Sequence, residues 1–239
     1  MRTEAEVAEF TAQSKHDIVF RCSACGGKDT ACGCRARLAR RVAMYEACIP
    51  KDFWGVSTEQ VQHNTDVFNE SILPYTQQLR RARAKGYGLM LLGDNGVGKT
   101  MFLCYVLVQA IEQGFTAYYT SMPKFDWQVK RSFDSPEDAE RLNYMLTSDF
   151  VVIDELAKER TKAGDNYMRL SLERVLKERF DNSLPTLVAA NANMKTLEAL
   201  YGSTLTSIFV GKYRIITMEP GDFREQLRGR MNKDMGYKP

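Results

Sequence analysis

The sequence predicts an α/β chain: a parallel β-sheet flanked by helices on both faces, preceded by a small N-terminal zinc-binding element. Three observations predict it. Short apolar runs alternate with helical stretches from residue 86 onward, which is the pattern of a parallel sheet with crossover helices. A glycine-rich loop stands between the first of those runs and the next helix. Four cysteines crowd into RCSACGGKDTACGCR near the N-terminus.

Along the chain, residues 1–20 carry no strong periodicity, and a short or frayed helix is expected there. RARLARRVAMYEA (35–47) has no Gly or Pro and reads as a helix that stops before Pro50. Residues 60–85 form a polar helical stretch in which Pro74 is expected to mark a break or a helix start. LMLL (89–92) is a short buried strand, followed by a helix over 99–113 that Gly114 ends. FTAYYT (115–120) is the next strand, with helices over 122–131 and 136–147, the second capped by Ser135 and opened by Pro136. FVVID (150–154) is a buried strand, 167–181 an amphipathic helix and TLVAAN (186–191) a fourth strand. A short helix (194–201), a fifth strand in KYRIITM (212–218) and a basic helix beginning near Asp222 complete the reading.

The bulk numbers exclude several classes. With 239 residues, 44% hydrophobic and 26% charged, the composition is globular, not fibrous or disordered. No apolar run approaches the ~18 residues of a membrane span, and MRTEAEVAEF lacks a signal-peptide core. A cytoplasmic protein with no membrane partner is expected. A net charge of +3 is too small to argue for nucleic acid, although RARLARR (35–41) and RRARAK (80–85) concentrate positive charge.

GDNGVGKT (93–100) matches the strand–G-x-x-x-x-G-K-[ST]–helix pattern in full. Glycines let backbone N–H groups turn toward phosphate oxygens, and the following helix adds its positive N-terminus. The nucleotide-binding residues are therefore Gly93, Asp94, Asn95, Gly96, Val97, Gly98, Lys99, Thr100 and Met101. Lys99 is placed to reach the β- and γ-phosphates of ATP and Thr100 to hold Mg²⁺. FVVIDE ends an apolar strand in two carboxylates at the edge where ligands bind in such sheets. Asp154 is the natural Mg²⁺ partner, and Glu155 the natural base for polarising a water. The pair favours hydrolysis over transfer to a small acceptor, which argues against a small-molecule kinase. A further strand (115–120) falls between the loop and FVVIDE, as in the additional-strand branch of P-loop ATPases. AANAN supplies a polar amide at the same edge, from Asn191 or Asn193.

Cys22, Cys25, Cys32 and Cys34 form C-x₂-C-x₆-C-x-C, with Gly26, Gly27 and Gly33 allowing tight turns. In a reducing compartment four clustered thiolates point to a metal more than to disulfides. Sulfur-only ligation favours structural Zn²⁺, with an iron–sulfur cluster as the alternative. Cys104, on the apolar helix after the loop, belongs in the core.

Taken in order, GDNGVGKT, FVVIDE, AANANM and GDFREQLRGR resemble the AAA+ ATPases of the DnaC/DnaI replicative-helicase-loader group, which includes the IstB transposition helpers. ACIPKDFWG looks like the I-P-x-x-[FY] segment that leads into that group's ATPase core, and the resemblance covers roughly residues 43–232. It implies an ATP-controlled loader that forms an oligomer on a hexameric replicative helicase, docks through its N-terminal region and engages single-stranded DNA. By position it makes Asn191 the sensor amide and Arg224 a sensor arginine, catalytic together with Lys99, Asp154 and Glu155. Some loaders also carry an N-terminal zinc element.

The implied organisation is a zinc-binding, partner-docking region (1–50), a helical linker (51–85) and an AAA+ ATPase domain (86–239). One departure matters: the segment where such proteins usually carry arginines acting on a neighbour's nucleotide reads YGSTLTSIFVG, with no Arg or Lys. Lys212 and Arg214 lie just beyond it. A trans arginine can be worth ~10³–10⁵ in rate, so slow turnover alone is expected. A transposition helper and a nucleotide-gated scaffold with little hydrolysis remain the alternatives. Single-stranded DNA needs cations interleaved with stacking aromatics. QVKRSFDS offers Lys130, Arg131 and Phe133, and LAKERTKAGDNY offers Lys158, Arg160, Lys162 and Tyr167.

Overall fold

Five runs of mostly apolar residues pair into one parallel sheet in a computed structural model that describes residues 2–58, 65–157, 166–218 and Met235. The strands are β1 (Gly88–Leu92), β2 (Ala117–Ser121), β3 (Phe150–Leu156), β4 (Thr186–Ala190) and β5 (Tyr213–Thr217). Their order is β2-β3-β4-β1-β5, and every pairing is parallel. β1 and β4 are buried along their whole length, and β3 everywhere but Glu155, because helices cover both faces. In space, therefore, β4 stands between the strand that feeds the glycine-rich loop and the strand that carries Asp154. The strand over 117–121, which intervenes in sequence, lies outside β3 instead.

Side chains alternate across the sheet. Leu89, Leu91, Val152, Leu187 and Ala189 face one layer, whose principal helix is α5 (Lys99–Glu112). Met90, Leu92, Val151, Ile153, Val188 and Ala190 face the other. That second layer is built by α6 (Met122–Arg131), α7 (Pro136–Thr147), α8 (Asn166–Asp181), α9 (Met194–Tyr201) and α10 (Ser203–Lys212). Ser135 caps α7 by accepting the Asp138 N–H, and Pro136 opens it, as its sequence predicts.

The N-terminal segments join the α5 layer. α1 (Glu4–Lys15) begins with a capping box between Thr3 and Glu6 and runs into a π-helical turn at His16–Phe20, so the start of the chain is regular and not frayed. α2 (Cys34–Glu46) is held to α5 by an Arg40–Glu112 ion pair at 2.8 Å. α3 (Leu73–Gln77) and α4 (Leu79–Lys85) follow a π-helical turn at Phe68–Ile72. Pro74 is the second residue of α3, continuous with the π-helical turn, and the Glu70 carbonyl four residues before it accepts from Arg214 instead. The break comes at Gln78 (φ −118°, ψ 27°). Met44, Ile49, Phe68, Ile72 and Leu79 share one apolar cluster with α5.

One helix has no counterpart in the sequence reading. Ser203–Lys212 is helical, with Leu205, Thr206 and Phe209 buried, although STLTSIFVG carries no clear helical stripe. QVKR is the last turn of α6, within the helix expected over 122–131, with Gln128 and Val129 buried. The basic helix expected from Asp222 lies outside the described residues.

Candidate functional site

The loop between β1 and α5 takes the cradle shape its glycines allow. Gly96 (φ 90°) and Gly98 (φ 93°) sit in left-handed backbone that a side chain would strain. Lys99, the first residue of α5, donates from Nζ to the carbonyls of Gly93 (2.7 Å) and Asp94 (2.6 Å). Its ammonium is thus held over the loop at a helix N-terminus, the place phosphates occupy in such folds. Asn95, Gly96, Gly98, Lys99, Thr100, Met101, Asp154, Glu155 and Asn191 line one cleft. Gly93 and Asp94 join Asn191 along an adjoining groove, and Val97 is buried in the α5 layer.

Asp154 is buried at the end of β3 and is gripped from three sides. Its Oδ2 accepts the Thr100 hydroxyl at 2.7 Å and the Tyr119 phenol at 2.9 Å, while Oδ1 accepts the Glu155 N–H at 2.8 Å. Burial, then the Asp154 charge, pushes the Tyr119 phenol well above its ordinary pKa, so it stays a donor. Between Ile153 and Leu156 the pairing with β4 slips, three residues advancing on β3 against two on β4. The extra residue is accommodated with Glu155 (φ 61°) and Ala157 (φ 65°) in left-handed backbone. Tyr201 at the end of α9 pins this turn, its hydroxyl accepting the Ala157 N–H at 3.0 Å. A bulge re-aims the chain, and here it presents Glu155 to the cleft while Asp154 stays inside.

The two candidate amides separate. Asn191 donates to Asn95 Oδ1 at 2.8 Å inside the cleft, whereas Asn193 caps α9 by accepting the Thr196 N–H at 2.9 Å. Phe53, from the 3₁₀ turn Lys51–Phe53, also lines the cleft. Neither Phe53 nor Tyr119 belongs to a motif that marks a site in the sequence. Arg224 lies outside the described residues. Lys212 and Arg214 are occupied: Lys212 Nζ donates to the Phe180 carbonyl and lies 4.2 Å from its ring centroid, and Arg214 binds Ser71 Oγ and the Glu70 carbonyl.

Of the residues read as DNA contacts, Phe133 and Tyr167 come together, ring centroids 6.3 Å apart, and both are exposed. Lys130 is paired with Asp126 at 2.8 Å and Arg131 with the buried Asp138 at 3.1 Å, so their charges are partly spent locally. Arg131 also lies 4.6 Å from the Trp127 ring centroid, and half-exposed Trp127, which the sequence reading left out, extends the aromatic surface. Lys158, Arg160 and Lys162 lie outside the described residues.

The four clustered cysteines are brought together, their sulfurs all within 4.8 Å of one another. Cys22 and Cys32 are 3.8 Å apart, and Cys25 and Cys34 3.7 Å. A tetrahedral site with ~2.3 Å metal–sulfur bonds places its sulfurs about 3.8 Å apart, whereas a disulfide needs about 2 Å. The donor set fits Zn²⁺. The Gly27 amide lowers the Cys25 thiol to about 7, whereas burial and the neighbouring thiols raise Cys34 to about 12, so a metal would have to displace protons from part of the cluster. Elemental analysis checks this with an expected one zinc per chain. Cys22→Ser should lose the metal yet still bind a fluorescent ATP analogue; a chain purified without zinc would remove the reading.

Residues 80–210 match the family described as IstB-like ATP binding protein. The replicative helicase loader DnaI of Bacillus subtilis (strain 168) is 27% identical over 150 residues, 60% of this chain, and the chain spans 46% of that relative's length. Among solved structures, the DnaC helicase loader aligns with a TM-score of 0.60 at 20% identity, over 71% of this chain and 100% of that one. The replication initiator DnaA bound to AMPPCP and single-stranded DNA aligns with a TM-score of 0.56 at 15% identity, over 72% of this chain and 52% of that one. Such identities speak to the fold alone, which this chain shares with those proteins. The family match is a separate finding and spans more than half of the 239 residues. This chain belongs to the IstB-like ATP binding family.

Proposed function

We propose that the chain is a cytoplasmic, ATP-controlled loader of a hexameric replicative DNA helicase. The observation that carries this reading is the convergence of Lys99, Thr100, Asp154, Glu155 and Asn191 on one cleft, in a chain related to a helicase loader. In this reading ATP sits on the loop with its phosphates at Lys99. Thr100 and Asp154 would hold Mg²⁺, which would supply charge neutralisation at the phosphates. Glu155 accepts a proton from the attacking water, and Asn191 and Arg224 report on the γ-phosphate. Turnover by the chain alone is slow, because Ser203–Gly211 contains no Arg or Lys and Lys212 and Arg214 are engaged elsewhere.

The remaining roles follow the same division of the chain. Residues 1–50 dock the helicase around the zinc element, residues 51–85 link it to the ATPase, and residues 86–239 bind nucleotide and DNA. Phe133 and Tyr167, with Trp127 beside them, offer stacking faces to single strands, each stacked base contributing ~1–3 kcal/mol. Lys130, Arg131, Lys158, Arg160 and Lys162 would supply the phosphate contacts.

The test is co-purification with a hexameric helicase followed by transfer of that helicase onto circular single-stranded DNA. ATP should promote the transfer. The double variant Phe133→Ala/Tyr167→Ala should weaken single-strand affinity about tenfold or more, as expected from losing two stacked bases, and spare ATP binding. Failure to associate with the helicase in any nucleotide state would overturn the loader reading. The IstB-like family match favours a transposition helper as the second reading, and capture of duplex DNA together with a recombinase would establish that instead.

A further inference from the structure

Asp154 has about four lone-pair directions for partners when ionised, two on each oxygen. Thr100 and Tyr119 both donate to Oδ2, and the Glu155 N–H takes one direction of Oδ1. That leaves a single acceptor direction, on Oδ1, for whatever the cleft holds. Thr100 and Glu155 come from segments the sequence already marks as functional. Tyr119 does not: it arrives from β2, whose register with β3 pairs Tyr119 with Val152 and Ser121 with Asp154. Its position is fixed independently of its hydroxyl, since its backbone N–H donates to the Ala47 carbonyl at 2.8 Å.

We propose that Tyr119 is a positioning residue for the Mg²⁺ site, its phenol filling the last open direction of Asp154 Oδ2 so that the carboxylate offers the cation only Oδ1. This rests on the ATP-binding reading above. Mg²⁺ demands near-ideal octahedral placement of its partners, so a carboxylate free to rotate loses more for Mg²⁺ than for a tolerant cation such as Ca²⁺. Removing the phenol takes away one of the three hydrogen bonds that hold the carboxylate and reopens a direction on Oδ2, without removing a charge.

Tyr119→Phe keeps the ring and the backbone bond to Ala47 and deletes only the donor. Binding of a fluorescent ATP analogue is measured first in EDTA and then across Mg²⁺ and Ca²⁺ titrations, with thermal melting as a check on folding. The expected result is unchanged affinity in EDTA, a Mg²⁺ midpoint raised about three- to tenfold, and a Ca²⁺ midpoint moved by less. A contact that merely satisfied a buried hydroxyl would alter the melting temperature and leave the Mg²⁺ midpoint in place. That outcome overturns the proposal, as does an equal shift for both cations. Wild-type protein that binds no ATP analogue would instead sink the nucleotide reading itself, so the two failures are distinguishable.

Discussion

Lys99→Ala is expected to weaken binding of a fluorescent ATP analogue by about a hundredfold or more while leaving the chain folded. The ammonium makes two charge-assisted hydrogen bonds, to Gly93 and Asp94, and each such bond to a charged group contributes ~1.5–3 kcal/mol. Exchanging these neutral carbonyls for anionic phosphate oxygens adds an ion-pair attraction of about 4 kcal/mol at roughly 4 Å and an effective dielectric of about 20, and every ~1.4 kcal/mol is tenfold in affinity. Ala is a strong helix former at the first residue of α5, and the freed loop carbonyls border an open cleft that water enters. The melting temperature should therefore change little. An unchanged affinity by fluorescence titration would show that the loop holds no phosphate.

The largest expected loss of stability comes from Arg179→Met. Arg179 on α8 is fully buried, and among the described residues no carboxylate is one of its hydrogen-bond partners. Its guanidinium donates to the carbonyls of Met145, Leu146, Ser148 and Pro185 and to Thr186 Oγ1, at 2.7–3.2 Å. Burial lowers its pKa to about 9, so it is still a cation at neutral pH. One side chain thereby ties the end of α7 to the starts of β3 and β4. Met fills similar volume and leaves these carbonyls without a donor, a cost of about 3–5 kcal/mol. For a chain of this size that lowers Tm by on the order of 10 °C. Arg179→Lys should recover little, because an ammonium has three donors on one atom and cannot reach both groups of acceptors. Thermal melts showing a loss below about 1 kcal/mol for the Met variant would mean that water replaces the guanidinium.

The elements of the sheet were legible because each rests on a local signal. The buried runs LMLL and TLVAA, the cap Ser135-Pro136 and the loop GDNGVGKT carry their conformations within a few residues. α10 was not legible, because β-branched residues and Gly211 mask its helical period and its burial depends on β5 and α8 packing against it. The site divides in the same way. Lys99, Thr100, Asp154 and Glu155 are motif residues, whereas Tyr119 reaches Asp154 only through the register between β2 and β3. Arg179 looks like any cation on an amphipathic helix until three chain segments close around it. The placement of β4 between β1 and β3 is likewise a long-range choice, and it is what sets Asn191 beside Asn95.

α2 begins at one of the clustered cysteines, Cys34, and its far end is stitched into the nucleotide half of the molecule. Its length of 13 residues corresponds to a rod of about 20 Å. At that far end the Ala47 carbonyl is bonded to the edge of β2, and Phe10 stacks on Tyr45 at 4.0 Å and meets Trp54, the neighbour of Phe53 in the cleft. The unbroken α2 helix thus spans from the cysteine cluster to the ring contacts of Tyr45, Phe10 and Trp54, the last of them next in sequence to Phe53 in the cleft.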